Sequence, residues 1–442
     1  MHGLITFRAG SELDQLAWAL LDTPEFQRLR RIRQLGVSEL VFPSATHTRF
    51  AHCIGVFHTA RMLIGIVDRE LPTIGQTSDP QRADTAVIAA LLHDLGHGPF
   101  SHTFEGVQAR RGQSKKHERW SAEIVQNPNG HVAPLLHAYR PGLADKIAAL
   151  LEAEDPTDIY HAVVSSSFDA DRLDYLRRDR LMTGTQAGAI DFDWLTEHIR
   201  VGEVVNEAAD EDDDDLPRTP TFCLDMKALP AAEQFLLARY TLHEQVYFHK
   251  TTRCVEYMIA RLLGRVASLA GETNAASMTG LPADHPLLRF LGKQAPTVGD
   301  YLALDDVLVM GAMDLMDRAE DPLTRGLAAR LRNRDLYKTL DIRVFGHDAG
   351  RQRQRVRQID RLFADGLTDG SVWKDDGAGI GIYTQIGGDD DKTHKKMHIL
   401  DAGKPREISE ISPMVQAMSQ KQMMTRYYFE RDDDRERARQ LK

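Results

Sequence analysis

The stretch Ala89–Glu105, AALLHDLGHGPFSHTFE, constrains the fold more than any other part of this chain. Ala89, Ala90, Leu91 and Leu92 read as the buried end of a helix, and His93 and Asp94 follow where burial would favour another leucine. Polar groups at such a place cost stability unless something pairs with them. Gly96, Gly98 and Pro99 then turn the chain, so that His97 and His102 can face the same space as His93. A metal or a substrate is the natural partner, and the rest of the chain has to close around it.

The surrounding pattern is mostly helical. Apolar residues recur at helical spacing from Leu13 to Leu35, and Thr23-Pro24 offers a cap and a first-turn proline for a helix over Pro24–Leu35. Further helices are expected over Phe50–Asp68, with Ile54, Phe57, Met62, Leu63 and Ile66 inward, over Asp84–Leu95, and over Ala232–Val266. Ser165–Asp179 also reads as helix, and on it Asp171, Asp174, Tyr175 and Asp179 share one face. Between Glu197 and Met226, two strand-like runs flank the acidic Asp210–Asp215, which predicts a hairpin with a solvated tip. Strands expected over Thr339–Phe345, Gly379–Gln385 and Lys395–Leu400 predict a smaller mixed lobe. The expectation is a mainly α fold: a helical core over residues 1–330 with a hairpin at 197–226, then a mixed α/β C-terminal lobe over 331–442.

Composition removes several functional classes. A net charge of -10 argues against a nonspecific grip on nucleic acid, which usually shows as a basic surplus. Cys53, Cys223 and Cys254 are far apart and odd in number, which fits a reducing compartment, the cytoplasm by expectation, rather than a disulfide framework. No apolar run approaches the roughly 20 residues needed to cross a bilayer. The start MHGLITFRAGSELD lacks a signal-peptide layout, so no membrane association is expected.

His52, His93, Asp94 and Asp171 together offer two imidazoles and two carboxylates from three expected helices. That nitrogen and oxygen set suits iron, manganese, zinc or nickel better than calcium, without choosing among them. A divalent ion there would lower the pKa of a ligated water and polarise a phosphoryl oxygen, which favours hydrolysis at phosphorus. A second His-Asp pair, His347-Asp348, sits in a Gly- and Arg-rich loop with no apolar helix before it, and reads as chance.

Six blocks carry a family resemblance: DTPEFQRLRRIRQLG, FPSATHTRFAHCIG, LLHDLGHGPFSH, KHERWS, FDADRLDYLRRD and YFHKTTRCVEYM. In this order, from Asp22 to about Asp321, the chain resembles the HD-domain metal phosphohydrolases, and within them the deoxynucleoside triphosphate triphosphohydrolases. The resemblance implies an HD-domain helical core with His52, His93, Asp94 and Asp171 as metal ligands and magnesium accompanying the nucleotide. It implies that Arg49, His97, His117 and Arg172 contact the triphosphate, and that His102, oriented by Glu105, protonates the leaving 5'-oxygen. Tyr175 and Asp179 match sugar-reading positions, Gln34 and Leu35 lie near base and sugar, and Tyr301 closes the pocket. Packing, capping or ordinary charge pairs, such as Asp174 with Arg178, are the plainer alternatives for these groups.

The same resemblance places a guanine-nucleotide activator against Asp22, Gln27 and Arg30. The chemistry agrees, since an arginine can donate to guanine O6 and N7; a plain helix-interface pair is the alternative. Lys250 and Arg253 would bind phosphates there or pair with Glu244 and Glu256. A homo-oligomer, a tetramer in the family, is implied by resemblance alone. The expected activity is metal-dependent hydrolysis of a deoxynucleoside triphosphate to deoxynucleoside and inorganic triphosphate. The competing readings are an HD phosphohydrolase for a monophosphate or cyclic nucleotide, and a nucleotide sensor without turnover.

Overall fold

The computed structural model describes residues 1–153, 158–186, 189–205, 218–380, 396–418 and 422–441. Two helices form the centre. Helix α1 (Arg49–Glu70) buries Phe50, Cys53, Val56, Phe57, Ala60, Leu63, Ile66 and Val67. Its extension to Ile74 is long and apolar enough to cross a membrane by length and composition, contrary to the sequence expectation, yet this is the core helix that carries Arg49 and His52. Helix α2 (Pro80–Leu92) starts with Asp79 accepting from the Gln81 and Arg82 amides and with proline at its first position. Ala86–Leu92 is buried throughout. The helix stops at Leu92, three residues short of the expected Leu95, because the Gly96 turn begins there and His93 Nδ1 donates back to the Ala90 carbonyl at 2.8 Å.

Three further helices carry the other expected site residues: α3 (His102–Arg110), α4 (His117–Gln126) and α5 (Ala170–Thr183). Helix α5 packs on α1 at Gly55, where a Cβ would overlap Asp174 Oδ1 and lie 2.7 Å from Asp174 Cγ. Only glycine admits that approach.

Two expected helices are interrupted. Pro24–Leu35 is an α-helical turn over Pro24–Gln27, capped by Thr23 as expected, then a 3-10 turn over Arg28–Arg31. Arg28, 1% exposed, donates to the carbonyls of Leu304 at 2.8 Å and Leu95 at 3.3 Å, and Arg33 pairs with Thr48 in an isolated bridge. These distant bonds override the local helical pattern. Ala232–Val266 divides into α6 (Leu229–Leu242), a π turn over His243–Tyr247 and α7 (Lys250–Leu269). Such turns concentrate at functional sites.

The hairpin pairs β1 (Ile199–Val205) with β2 (Arg218–Asp225) antiparallel, Ile199 opposite Leu224. The acidic Asp210–Asp215 lies outside the described residues. Another helix, α8 (Asp306–Met316), buries Val309, Ala312, Met313 and Met316 in a second apolar cluster with α7. A second sheet of order β3-β7-β4 contains β3 (Lys338–Asp341), β4 (Val372–Ile380) and β7 (Gln422–Phe429), packed on Ile359 and Phe363. The strand expected at Thr339–Phe345 gives way to a 3-10 turn after Asp341, and of Gly379–Gln385 only Gly379 and Ile380 are described. Strands β5 (His398–Asp401) and β6 (Lys404–Glu407) do not join that lobe. β5 runs parallel to β2, giving a sheet of order β1-β2-β5-β6, so this part of the C-terminal third returns to the helical core. All three cysteines are buried and unpaired.

Candidate active site

His52 projects from the second turn of α1, His93 and Asp94 from the end of α2, and Asp171 from the first turn of α5. The ring nitrogen His52 Nε2 lies 2.9 Å from Asp171 Oδ1 and 3.8 Å from Asp94 Oδ2. His93 Nε2 lies 3.2 Å from Asp94 Oδ1 and 3.7 Å from Asp171 Oδ1. The opposite nitrogens are committed: His93 Nδ1 faces the Ala90 carbonyl and His52 Nδ1 faces the Asp174 carboxylate at 2.8 Å. Those partners only accept, so in each ring's neutral form Nδ1 carries the proton and Nε2 is bare. Both bare atoms are buried without a well-formed hydrogen bond.

The electrostatics ask for a cation at this point. Burial by itself would lower the His52 pKa, but Asp171 and Asp174 outweigh it and push it up to about 10. Burial would likewise raise Asp94, yet Arg49, His93 and His97 hold it well below the ordinary carboxylate range. Bare imidazole nitrogens, ionised carboxylates and donor atoms of His52, His93 and Asp94 within 4.8 Å of one another fit a divalent transition metal.

A second cluster adjoins the first. His97 Nε2 is 3.1 Å from Asp94 Oδ1, and its ring stacks on His117 with centroids 3.9 Å apart. Burial, then Arg49 and His117, keep His97 well below the usual imidazole range, so its ring is neutral. Glu105 joins two imidazoles: its Oε1 accepts from His117 Nδ1 at 2.7 Å and its Oε2 from His102 Nδ1 at 3.0 Å. Burial would raise Glu105, but His102 and His117 overcome it and keep the carboxylate ionised. Glu105 in turn raises His117 against the effect of burial. His102 itself is 76% exposed at the rim.

The turn between the clusters is strained and bolted down. Phe100 and Ser101 both adopt left-handed backbone, with φ of 54° and 51°. The Phe100 amide donates to Asp306 Oδ1 at 2.7 Å, and Ser101 Oγ accepts from Arg49 Nη2 at 2.8 Å. Arg49 Nη1 also donates to Asp94 Oδ2 at 2.5 Å, so one guanidinium ties the turn to the metal-type cluster. Gly96 anchors the other side: its amide donates to Ser121 Oγ at 2.8 Å and its carbonyl accepts from Tyr301 at 2.6 Å.

The remaining expected residues divide. Tyr175 is buried with its hydroxyl unpartnered, 6.3 Å from the Tyr247 ring. Asp179 accepts from His47 Nε2 and from the Tyr247 hydroxyl, each at 2.8 Å. Gln34 lies beside them, its backbone N–H donating to the His47 carbonyl at 3.0 Å, and Leu35 packs on the core. Arg172 is engaged by Asp169 and by the Ser166 carbonyl. Tyr301 corrects its expectation as a lid. Its ring is buried, stacked 4.0 Å from Trp120, with its hydroxyl committed to Gly96, so it props the turn from beneath. Gln27 and Arg30 meet at 2.7 Å beside exposed Asp22, with Arg30 over the Phe50 ring. Arg253 pairs with Glu256 and Asp375, each at 3.0 Å. Sequence reasoning missed His47, Ser101, Ser121, Tyr247 and Asp306. Each acts through a contact more than 20 residues away, and only Gly96 hinted at such crowding.

Comparison with known proteins gives matches to two family descriptions, HD domain over residues 49–176 and HD associated region over 218–303. An uncharacterized Bacillus subtilis protein, YwfO, is 33% identical over 74% of this chain and 69% of its own length. A Dictyostelium discoideum protein named a deoxynucleoside triphosphate triphosphohydrolase, a SAMHD1 homolog, is 30% identical over 73% of this chain. The chain spans 56% of that relative's length. Among solved structures, a phosphohydrolase from Bacteroides thetaiotaomicron superposes with a TM-score of 0.70 over 96% of both chains at 25% identity.

Proposed function

We propose, because this chain belongs to the HD-domain phosphohydrolase family, that it removes the intact triphosphate from deoxynucleoside triphosphates. The observation that carries the reading is the junction of the two clusters. Asp94, with one oxygen toward His93, has the same oxygen 3.1 Å from His97, whose ring stacks on the His117 that shares Glu105 with His102. A divalent transition metal held by His52, His93, Asp94 and Asp171 would supply Lewis-acid charge for hydrolysis at phosphorus, with magnesium accompanying the nucleotide.

The chain's own groups account for the rest. Arg49, Arg172 and a His117 biased toward its charged form supply positive charge for the triphosphate, with neutral His97 stacked on His117 beside it. Water adds to the α-phosphorus, the bond to the 5'-oxygen breaks, and that oxygen takes a proton from His102. Glu105, accepting from His102 Nδ1, orients the ring and leaves Nε2 to point outward toward the leaving oxygen. The Tyr175 ring closes on C2' and disfavours a ribose hydroxyl, while Asp179 accepts from the 3'-OH. The exposed Asp22 and Arg30, with half-buried Gln27 between them, would read a guanine-nucleotide activator.

The test is product identity. Each deoxynucleotide, alone and in mixtures, is incubated with the protein and manganese or magnesium, and the products are resolved by phosphorus NMR. Inorganic triphosphate supports the reading, whereas orthophosphate as the sole phosphorus product sinks it.

A further inference from the structure

Asp174 lies outside the four groups that face the inner space, yet it is 0% exposed. Its Oδ2 accepts from His52 Nδ1 at 2.8 Å, and its Oδ1 accepts from His2 Nε2 at 2.5 Å. Arg178 donates to both oxygens, at 2.7 and 3.0 Å. Asp174 therefore settles which nitrogen of the neutral His52 ring is bare, and four N–H donors fill its lone pairs.

His2 arrives from the far end of the chain, 172 residues away, on a segment held at several points. Its side chain is 6% exposed, and its ring meets His58 edge-on at 5.2 Å. Arg177 donates to the Met1 carbonyl at 2.9 Å while stacking on Phe192, and Arg61 donates to the Thr6 carbonyl at 3.1 Å. Phe7 stacks on Phe57 of α1 with rings 5° from parallel. A segment anchored this thoroughly delivers one imidazole to one buried carboxylate.

We propose that His2 is a positioning residue for the metal centre: by holding Asp174 Oδ1, it keeps Asp174 Oδ2 on His52 and His52 Nε2 aimed at Asp94 and Asp171. Arg178 cannot do this alone. It grips both carboxylate oxygens together, so without His2 it draws the group toward itself and away from the His52 ring. The inference rests on the metal-centre reading above. Loss of a group that orients a ligand imidazole typically lowers metal affinity about 10- to 100-fold.

The experiment measures manganese(II) affinity of the full-length protein by competition with a chelator, alongside thermal unfolding in excess chelator. His2→Ala is expected to bind manganese 10- to 100-fold more weakly than wild type, by the same ligand-orienting effect. His2→Gln, which can still donate to Asp174, recovers most of that loss. His58→Ala removes the ring contact but no bond to Asp174, and binds as wild type does. Should His2→Ala unfold, His2→Met keeps the packing without the donor and is expected to show the same weakening. Manganese affinity within about threefold of wild type in the donorless variant overturns the inference, as does an equal loss in His58→Ala. A wild-type chain that takes up no manganese removes the metal-centre reading and this inference with it. A wild type that binds, with His2 variants that bind equally, removes this inference alone.

Discussion

Gly96→Ala probes the turn on which both clusters depend. A methyl group at this position would overlap the His117 carbonyl oxygen and the Ser121 amide nitrogen and reach within 2.8 Å of Ser121 Oγ. Backbone atoms of α4 cannot swing aside as a flexible side chain can, so the turn must retreat by ~1 Å to reach ordinary contact distances. That movement strains the bond from the Gly96 amide to Ser121 Oγ and the one from Tyr301 to the Gly96 carbonyl. Overpacking of a close-packed site and one buried polar group left unpaired together destabilise the fold by about 4 kcal/mol. A shift of that size at His93, Asp94 and His97 lowers turnover by about 100-fold. Urea unfolding followed by circular dichroism gives the first quantity and deoxynucleotide hydrolysis the second. Gly65→Ala is the control: it lies on the exposed side of the same helix as His52 with nothing within 4 Å, and is expected to stabilise. Its gain is about 0.5–1 kcal/mol, from reduced unfolded-state freedom. A Gly96→Ala protein within about 1 kcal/mol of wild type and fully active would refute the crowding argument.

Metal binding should be coupled to a proton. In the metal-free protein the His52 pKa stands at about 10, so the stability it contributes is complete below its ordinary value and is lost as pH rises from about 6.5 to 10. A metal displaces that proton, and its apparent affinity rises toward ~tenfold per pH unit across the same window; calorimetry in buffers of different ionisation enthalpy should detect the release, and pH-independent binding would contradict it. Glu105→Gln should leave metal content unchanged while lowering kcat/KM by about 100-fold or more, because the carboxylate acts on imidazoles rather than on the metal; wild-type turnover in this variant would remove His102 from its role. Burial raises the Asp306 carboxyl to about 6 despite the Arg33 and Phe100 amides, so stability contributed below 3.8 is lost as pH rises toward 6. Carboxyl-carbon NMR should find that midpoint, and a titration below the ordinary aspartate range would disprove it.

Much of the architecture was readable from periodicity. The core helices around Phe57 and Ala90, the β1–β2 hairpin and a mixed C-terminal lobe all follow from apolar spacing and turn residues. What stayed hidden depends on contacts between distant residues. The stop after Gln27 comes from Arg28 bonding to Leu304, and the return of β5 to β2 joins His398 to Cys223. Neither has a local signal. In the site, His93 and Asp94 stood out because polar ligand types follow a buried apolar helix end, and His52 and Asp171 joined them as a second imidazole and carboxylate from two other helices. Asp174 looked like half of a surface pair with Arg178; that pair forms, but Gly55 lets it sink against α1, where it reaches His52 and His2. Tyr301 followed the same course, its aromatic character serving the core rather than the pocket.

The central claim is hydrolysis at the α-phosphorus with the 5'-oxygen leaving on a proton from His102. Turnover of a deoxynucleoside triphosphate in oxygen-18 water, with mass analysis of both products, tests it most directly. The account predicts one labelled oxygen in inorganic triphosphate and none in the deoxynucleoside. Label in the deoxynucleoside, or its appearance in orthophosphate or pyrophosphate instead of triphosphate, would contradict it.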